Sequence, residues 1–151
     1  MEPFLFLNTF VKKQIIMTSS LRYKAENEFE ATNQAGNTVA MDMYPQDEKK
    51  DQSPMDLLLS AVAGCAAVDI VSMIKKKRRT FVDLKAETTG ERAESHPKKF
   101  TKIHIKYIIT SPDLTEKEAE KVIDLAVNNY CSVASSLDPA IELTHSFELI
   151  R

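Results

Sequence analysis

The sequence predicts a mixed α and β fold in which strand pairs are connected to two helices. Several segments alternate apolar and polar residues with a period of two, as strands do. A long apolar segment between residues 53 and 79 begins with helix-capping residues, and a second segment from Thr115 has the apolar spacing of an amphipathic helix. These three observations together predict the fold class.

The bulk composition is that of an ordinary globular chain. Its 151 residues, 43% of them hydrophobic, are enough for one core. The formal net charge of -2 lacks the basic excess that favours nucleic acid or an anionic membrane, so neither is expected as a partner. Two cysteines are too few for a secreted disulfide framework, and no cleavable signal peptide is recognisable, so we expect a cytoplasmic protein. We expect an N-terminal tail over residues 1–20 and a single domain over residues 21–151.

An N-terminal hairpin is predicted before the first helix. Residues 21–31 and 38–44 show β-type alternation on either side of the segment NQAGN. Gly36 and Asn37 in that segment tolerate the positive φ of a tight turn. A charged, solvated connection follows the hairpin.

The first helix is predicted to run from Ser53 to about Arg79. Ser53 suits the N-cap, Pro54 the first helical position, and Asp56 completes a capping box. The basic run KKKRR favours the negative end of the helix dipole. Because apolar residues surround most of this helix, we expect it to be enclosed on nearly all sides, with a second helix and a partner subunit sharing the covering.

The second half of the chain is predicted to be strand, strand, helix and strand. Residues 80–93 and 99–110 form a strand pair, whose apolar face consists of Ile103, Ile105, Tyr107 and Ile109. Thr115 and Glu118 repeat the capping box, and an amphipathic stripe follows, made of Ala119, Val122, Ile123, Ala126, Val127 and Tyr130. The segment CSVASSL predicts a short helix, and AIELTHSFELI predicts a closing strand.

The two cysteines are the candidate reactive groups. On a helical wheel, Cys65 shares a face with Leu58, Ala61, Asp69 and Ser72. A free cysteine often behaves as a small buried hydrophobe. Alternatively, if the two helices cross near Cys65 and Cys131, their Cα atoms approach within the roughly 7 Å that a disulfide requires, and they can act as attacking and resolving thiols. Asp69 has the wrong sign to stabilise a thiolate, but it can position a cation or accept a proton.

Three segments carry a resemblance to a known family: SPMDLLLSAVAGCAAVDIVSMI, GERAESHPKKFTKIHIKYII and NNYCSVASSL. Taken in order with both cysteines, they resemble the OsmC/Ohr family, the osmotically inducible and organic hydroperoxide resistance proteins, over about residues 21–151. The best fit is to the less characterised OsmC-like subgroup. The resemblance implies an α+β fold of curved antiparallel sheets around two long central helices, and an intertwined homodimer with thiol sites at the subunit interface.

The resemblance also implies a chemistry, the reduction of organic hydroperoxides without metal or haem, so no cofactor is expected. Carried onto this chain, it makes Cys65 the peroxidatic thiol, whose sulfenic acid Cys131 captures as a disulfide. A thiol-based donor then reduces the disulfide. Such a protein would be an antioxidant of the stress response.

Two departures from the family pattern affect this activity. Peroxidase members carry a thiolate-stabilising arginine in the first hairpin, but the corresponding ENEFEAT has none, and Arg22 is the nearest upstream basic residue. Those members also carry a glutamate directly after the helix-opening proline, where this chain has Met55. Asp56 is one position later, which is about 100° further round the helix, and it can simply cap the helix.

Two functions therefore stay open. One is a thiol-dependent peroxidase, an enzymatic function that the retention of both cysteines favours. The other is a non-catalytic dimer that binds a small hydrophobic ligand or senses oxidants, which the missing arginine favours. The histidines have no metal-ligand spacing, so no metal site is expected at His96, His104 or His145.

Overall fold

The computed structural model describes residues 15–151, which form two three-stranded sheets together with helices. The mixed α and β fold is confirmed. The elements in chain order are β1 Ser19–Ala25, β2 Glu28–Asn33, β3 Thr38–Asp42, α1 Pro54–Lys76, β4 Asp83–Arg92, β5 Phe100–Thr110, α2 Glu116–Leu125, a π-helical turn Ala126–Tyr130, α3 Ser132–Ser135 and β6 Glu142–Ile150.

The chain forms two compact units, one ending at Asp51 and the other running from Gln52 to Arg151. Residues 1–14 of the predicted tail lie outside the described residues, and β1 already begins at Ser19. The single domain over residues 21–151 stays a prediction.

The first sheet is an antiparallel meander of β1, β2 and β3. The predicted hairpin turn is confirmed at Gly36, which has a φ of 85°, and the Asn33 side chain accepts hydrogen bonds from two backbone N–H groups of this turn. The single strand predicted over residues 21–31 is wrong, because a turn containing Asn27 divides it into β1 and β2. Apolar and polar residues alternate on both sides of this turn, so the pattern conceals the break.

One face of the first sheet is apolar. Two rows of paired residues make it, namely Leu21 with Ala31 and Val39, and Tyr23 with Phe29 and Met41. Leu21 is 62% exposed and Tyr23 is 64% exposed. A sheet normally buries an apolar face of this kind against another surface.

The predicted start of α1 is confirmed, but the helix ends at Lys76 rather than near Arg79. The Ser53 hydroxyl accepts a hydrogen bond from the Asp56 N–H at 3.2 Å, and the Asp56 carboxylate accepts one from the Ser53 N–H at 2.9 Å. Beyond the helix, Arg78 has a φ of 60°. This left-handed conformation cannot continue a right-handed helix, which explains the earlier end.

β5 is the central strand of the second sheet, paired with β4 in antiparallel and with β6 in parallel. The predicted strand pair is confirmed, and its apolar face is fully buried: Ile103, Ile105, Tyr107 and Ile109. The family resemblance implies antiparallel sheets, and β4 pairs with β5 in this way, but β6 pairs with β5 in parallel. The chain passes from β5 to β6 through α2 and α3, and a helical crossover of this kind returns the next strand in the same direction.

The covering of α1 is incomplete within one chain. A stripe of α1 is buried in the core: Val62, Ala63, Ala66, Ile70 and Ile74. In contrast, Val68 is 71% exposed, and a Cβ added at Gly64 would meet no atom within 4 Å. Among residues 15–151, α1 is also the one helix long and apolar enough to cross a membrane, a property that core helices share. The partner subunit predicted to complete the covering stays a prediction.

The end of α1 is tied to the start of α2. Thr115 and Glu118 form the predicted capping box. Arg79 donates to the Glu118 carboxylate through both Nε and Nη2, at 3.1 and 3.0 Å. These bonds, together with the Thr115 N–H, lower the pKa of Glu118 to about 2.

This ion pair predicts a loss of stability in acid. Because the folded-state pKa of Glu118 is depressed, its stabilising effect is fully present above the ordinary pKa of 4.5 and is lost as the pH falls toward about 2. We expect the free energy of unfolding to fall more steeply over this range in the wild type than in Glu118→Gln, whose amide retains the capping box. Urea denaturation at a series of pH values measures this, and parallel curves would contradict it.

Candidate functional site

Two free thiols meet where α1 packs against the segment that follows α2. Cys65 is half-buried in the middle of α1, whereas Cys131 is 1% exposed. Cys131 is the N-cap of α3, and its Sγ accepts a hydrogen bond from the Ala134 N–H at 3.3 Å. Its own N–H donates to the Ala126 carbonyl at 2.9 Å, five residues back, as in a π-helix. The backbone around Cys131 is therefore fixed on both sides.

Cys131 also contacts α1 directly. Its S–H donates to the Val62 carbonyl at 3.7 Å. The Cys65 thiol, one turn further along the helix from Val62, is near enough to raise the pKa of Cys131. The structure thus brings together the two cysteines that the sequence singles out. Their chemical roles stay a prediction.

The environment of Cys131 disfavours its thiolate. Burial raises the pKa of the Cys131 thiol above its ordinary value, and the neighbouring Cys65 thiol raises it further. The Ala134 N–H acts in the opposite direction. Cys131 therefore stays a protonated thiol near neutral pH, while Cys65 is the sulfur that solvent can reach.

Tyr107 is a third component of the site, which sequence reasoning placed in the core without a further role. It is fully buried on β5, and its hydroxyl donates to the Ala63 carbonyl of α1 at 3.0 Å. Burial raises the pKa of Tyr107 well above its ordinary value, and the neighbouring Cys131 and Cys65 raise it further. A lone tyrosine within a row of isoleucines on β5 is the sequence signal that points to it.

Asp56 does not lie with the thiols. Its carboxylate caps α1, as described above, and it lines a pocket of about 450 Å³. The other lining residues are Leu59, Ser60, Ala63, Gly64, Ala86 and Thr88. Neither sulfur lines this pocket, so the supporting role predicted for Asp56 stays untested.

Asp69 lines a different pocket, of about 190 Å³, together with Ser72, Met73, Lys76 and Tyr130. We call this the Asp69 pocket. Asp69 lies one helical turn after Cys65, a spacing that puts side chains about 5–6 Å apart, and Tyr130 directly precedes Cys131. The Asp69 pocket is therefore lined by near neighbours of both cysteines in the chain, although neither sulfur lines it.

The prediction that Tyr130 belongs to the buried stripe of α2 is wrong, because the side chain is 59% exposed. The other predicted members of the stripe are all buried: Ala119, Val122, Ile123, Ala126 and Val127. The wider π-helical turn shifts the residues that follow it around the helix axis. As a result, Cys131 enters the core while Tyr130 reaches the Asp69 pocket.

The remaining candidate side chains have other partners. Arg22 donates to Glu30 on the neighbouring strand of the first sheet at 2.8 Å. The His104 ring lies between the hydroxyls of Thr144 and Ser146, at 2.8 and 2.9 Å. Over residues 15–151, no cluster of three or more His, Cys, Asp or Glu side chains is arranged to hold a metal ion.

Comparison with known proteins gives one family and one fold. The family described as OsmC-like protein matches residues 47–146. Protein YhfA of Escherichia coli K12 is 39% identical over 116 residues, which cover 77% of this chain and 85% of that protein.

Solved structures share the architecture. An OsmC-like protein from Mycoplasma pneumoniae superposes with a TM-score of 0.80 at 20% identity, covering 91% of this chain and 99% of that chain. The organic hydroperoxide resistance protein OhrB of Bacillus subtilis has a TM-score of 0.61 at 13% identity, covering 89% of this chain and 98% of that chain.

The different surroundings of the two cysteines predict different costs of removing them. Cys131→Ala removes the N-cap acceptor of α3 and the contact with Val62, so we expect a loss of about 1–2 kcal/mol in the free energy of unfolding. Cys65→Ala replaces a half-buried small side chain with another and should cost less than about 1 kcal/mol. Denaturant unfolding under reducing conditions compares them, and the reverse order would contradict the described contacts.

Proposed function

The chain belongs to the OsmC-like protein family, and we propose that it is a thiol-dependent peroxidase that reduces organic hydroperoxides through Cys65 and Cys131. The observation that carries this proposal is the proximity of two free thiols, one reachable and one buried. The fold shared with OhrB, which is named for organic hydroperoxide resistance, adds support.

The proposed cycle begins when the Cys65 thiolate attacks one oxygen of the peroxide O–O bond. That oxygen stays on sulfur as a sulfenic acid, and the other leaves with a proton as an alcohol. The Cys131 thiol then attacks the sulfenic sulfur, loses its proton and displaces the hydroxyl group as water. A thiol donor supplies the two electrons that return the disulfide to two thiols. We place the protein in the cytoplasm, whose reducing conditions keep both thiols ready.

The two roles follow from burial. A peroxide cannot reach Cys131, which is 1% exposed, and the raised pKa of this thiol keeps it protonated. Both properties suit a resolving thiol that reacts with a neighbouring sulfur. Cys65 is half-buried beside the exposed side chain of Val68, so an apolar peroxide can approach it along this face of α1.

We further propose that the protein is a homodimer with the thiol site at its interface. The exposed face of α1 around Val68 and Gly64 lies next to Cys65, and Leu21 and Tyr23 on the apolar face of the first sheet are each more than 60% exposed. Soluble monomers rarely leave such large apolar areas in water. Pairing of two chains would bury them.

The alternative is a non-catalytic dimer that holds a small hydrophobic ligand or senses oxidants. The observation that favours it is the absence of an arginine from ENEFEAT, together with the engagement of Arg22 by Glu30. Without a cation beside Cys65, its oxidation would be slow and stoichiometric.

Peroxide turnover separates these two functions. With cumene hydroperoxide and a thiol donor in excess, we expect the wild type to consume many equivalents of peroxide and Cys65→Ser to lose at least about 100-fold of this rate, because the nucleophile is gone. Cys131→Ser should still form a sulfenic acid at Cys65 but no disulfide between these positions. Peroxide loss and mass spectrometry of the trapped species measure both effects.

The same measurement is made with hydrogen peroxide as the polar comparison substrate.

With cumene hydroperoxide, slow oxidation of the protein by one equivalent of peroxide, with no turnover, would contradict the peroxidase and support the sensor. No oxidation of Cys65 at all would leave the ligand-binding dimer.

The dimer has its own test at Val68. A carboxylate at this position would be buried without a partner in the interface, so we expect Val68→Glu to weaken dimerisation by at least about tenfold. Val82→Glu is the matched control, because Val82 is 60% exposed and lies outside α1. Sedimentation over a concentration series measures the effect. A monomeric wild type, or equal effects of the two substitutions, would contradict the proposed interface.

A further inference from the structure

The Asp69 pocket contains polar side chains that no other described residue satisfies. Four residues line it, namely Asp69, Ser72, Lys76 and Tyr130, and none of their side chains forms a hydrogen bond or ion pair within residues 15–151. Asp69 and Ser72 are nevertheless half-buried on α1. Four polar side chains without a protein partner around one concave space are suited to a polar ligand.

The charges in this pocket are ordered along α1. Asp69 lies one turn beyond Cys65, and Lys76 lies two turns beyond Asp69, at a rise of roughly 10 Å. Side chains on a helix lean toward its N-terminus, so the long Lys76 side chain extends back toward Asp69. Along the helix the three groups therefore follow in the order Cys65 sulfur, Asp69 carboxylate and Lys76 ammonium.

The π-helical turn supplies the opposite wall. It exposes Tyr130 at the pocket while it buries the adjacent Cys131 against Cys65. Tyr130, which faces a ligand, and Cys131, whose sulfur forms the disulfide, are thus consecutive residues.

We propose that the Asp69 pocket binds a small thiol that carries both an ammonium and a carboxylate group, of the amino-acid type such as cysteine, and that this thiol reduces the Cys65–Cys131 disulfide. The inference rests on the proposed function, since that function generates the disulfide. The ligand's ammonium pairs with Asp69 and its carboxylate with Lys76, so its thiol end is directed toward Cys65.

The reduction proceeds by two exchange steps. The ligand thiolate attacks the Cys65 sulfur, which is the reachable one, and Cys131 leaves and takes up a proton. A second ligand thiolate attacks the ligand sulfur of the mixed disulfide. Cys65 then leaves and takes up a proton, and the ligand departs as its symmetrical disulfide. Two ligand thiols are oxidised and one protein disulfide is reduced.

The experiment forms the protein disulfide with diamide, without any peroxide, and then removes the diamide. Four thiols are compared as reductants: cysteine with both charges, cysteamine with the ammonium, 3-mercaptopropionate with the carboxylate, and 2-mercaptoethanol with neither. Alkylation and mass spectrometry follow disulfide loss, and each rate is expressed per thiolate present. We expect cysteine to be the fastest by roughly tenfold over 2-mercaptoethanol, as charge-assisted contacts of ordinary strength give.

Substitutions in the pocket should remove this advantage one charge at a time. Asp69→Asn should lower the rate with cysteine to that with 3-mercaptopropionate, and Lys76→Met should lower it to that with cysteamine. Lys77→Met and Asp83→Asn are the matched controls, because they make the same charge changes outside the pocket. The rate with 2-mercaptoethanol should be the same in the two control variants as in the wild type. For Asp69→Asn and Lys76→Met, each rate is divided by that variant's own rate with 2-mercaptoethanol, so that a change in Cys65 itself cancels.

Each other outcome overturns the inference. Reduction rates that follow thiolate reactivity without regard to the charge of the reductant would overturn it. An equal loss of the rate with cysteine in the control variants would also overturn it, and so would failure of diamide to link the two cysteines. Because the disulfide is made without peroxide, a protein that consumes no peroxide but shows the predicted thiol selectivity would contradict the peroxidase and leave this inference standing.

Discussion

The thiol site depends on two hydrogen bonds that reach consecutive carbonyl groups of α1. The Cys131 thiol donates to Val62 and the Tyr107 hydroxyl donates to Ala63. A carbonyl oxygen has two lone pairs, so it can accept such a bond in addition to the one within its own helix. Because Tyr107 comes from β5 and Cys131 from the segment after α2, these two bonds fix three elements at the turn of α1 that precedes Cys65. The distance between the sulfurs is set by this arrangement.

The π-helical turn is the second feature that positions the residues of the site. A continuous α-helix would direct Tyr130 into the core, as its place in the apolar stripe predicts. The wider turn rotates the chain, so that Cys131 is buried and able to cap α3. A π-helical turn is rare and is frequently found at functional sites. In this protein it delivers one cysteine to its partner and one tyrosine to the adjoining pocket.

Much of this arrangement could be predicted from local signals. The capping residues at Ser53 and Thr115 fix where both helices begin, because they satisfy N–H groups that have no partner in the helix. The alternation around Tyr107 gives the buried face of β5. The parallel direction of β6 and the rotation at Tyr130 could not be read in this way, since a crossover and an extra residue in a turn leave residue types unchanged. The approach of Cys65 to Cys131 spans 66 positions, so the residue pattern left it beside the alternative of a small buried hydrophobe until the packing of the helices was known.

The position of Cys65 on the circumference of α1 reconciles two requirements of a reactive thiol. At 100° per residue it lies between the buried stripe that contains Val62 and Ala66 and the open face that contains Ala61 and Val68. A sulfur on the buried stripe would meet Cys131 but no peroxide, and one on the open face would meet peroxide but not Cys131. At the boundary the same sulfur can do both. A partner that covers the open face would leave Cys65 in an apolar cleft between two subunits, where the tail of an organic hydroperoxide is sheltered from water.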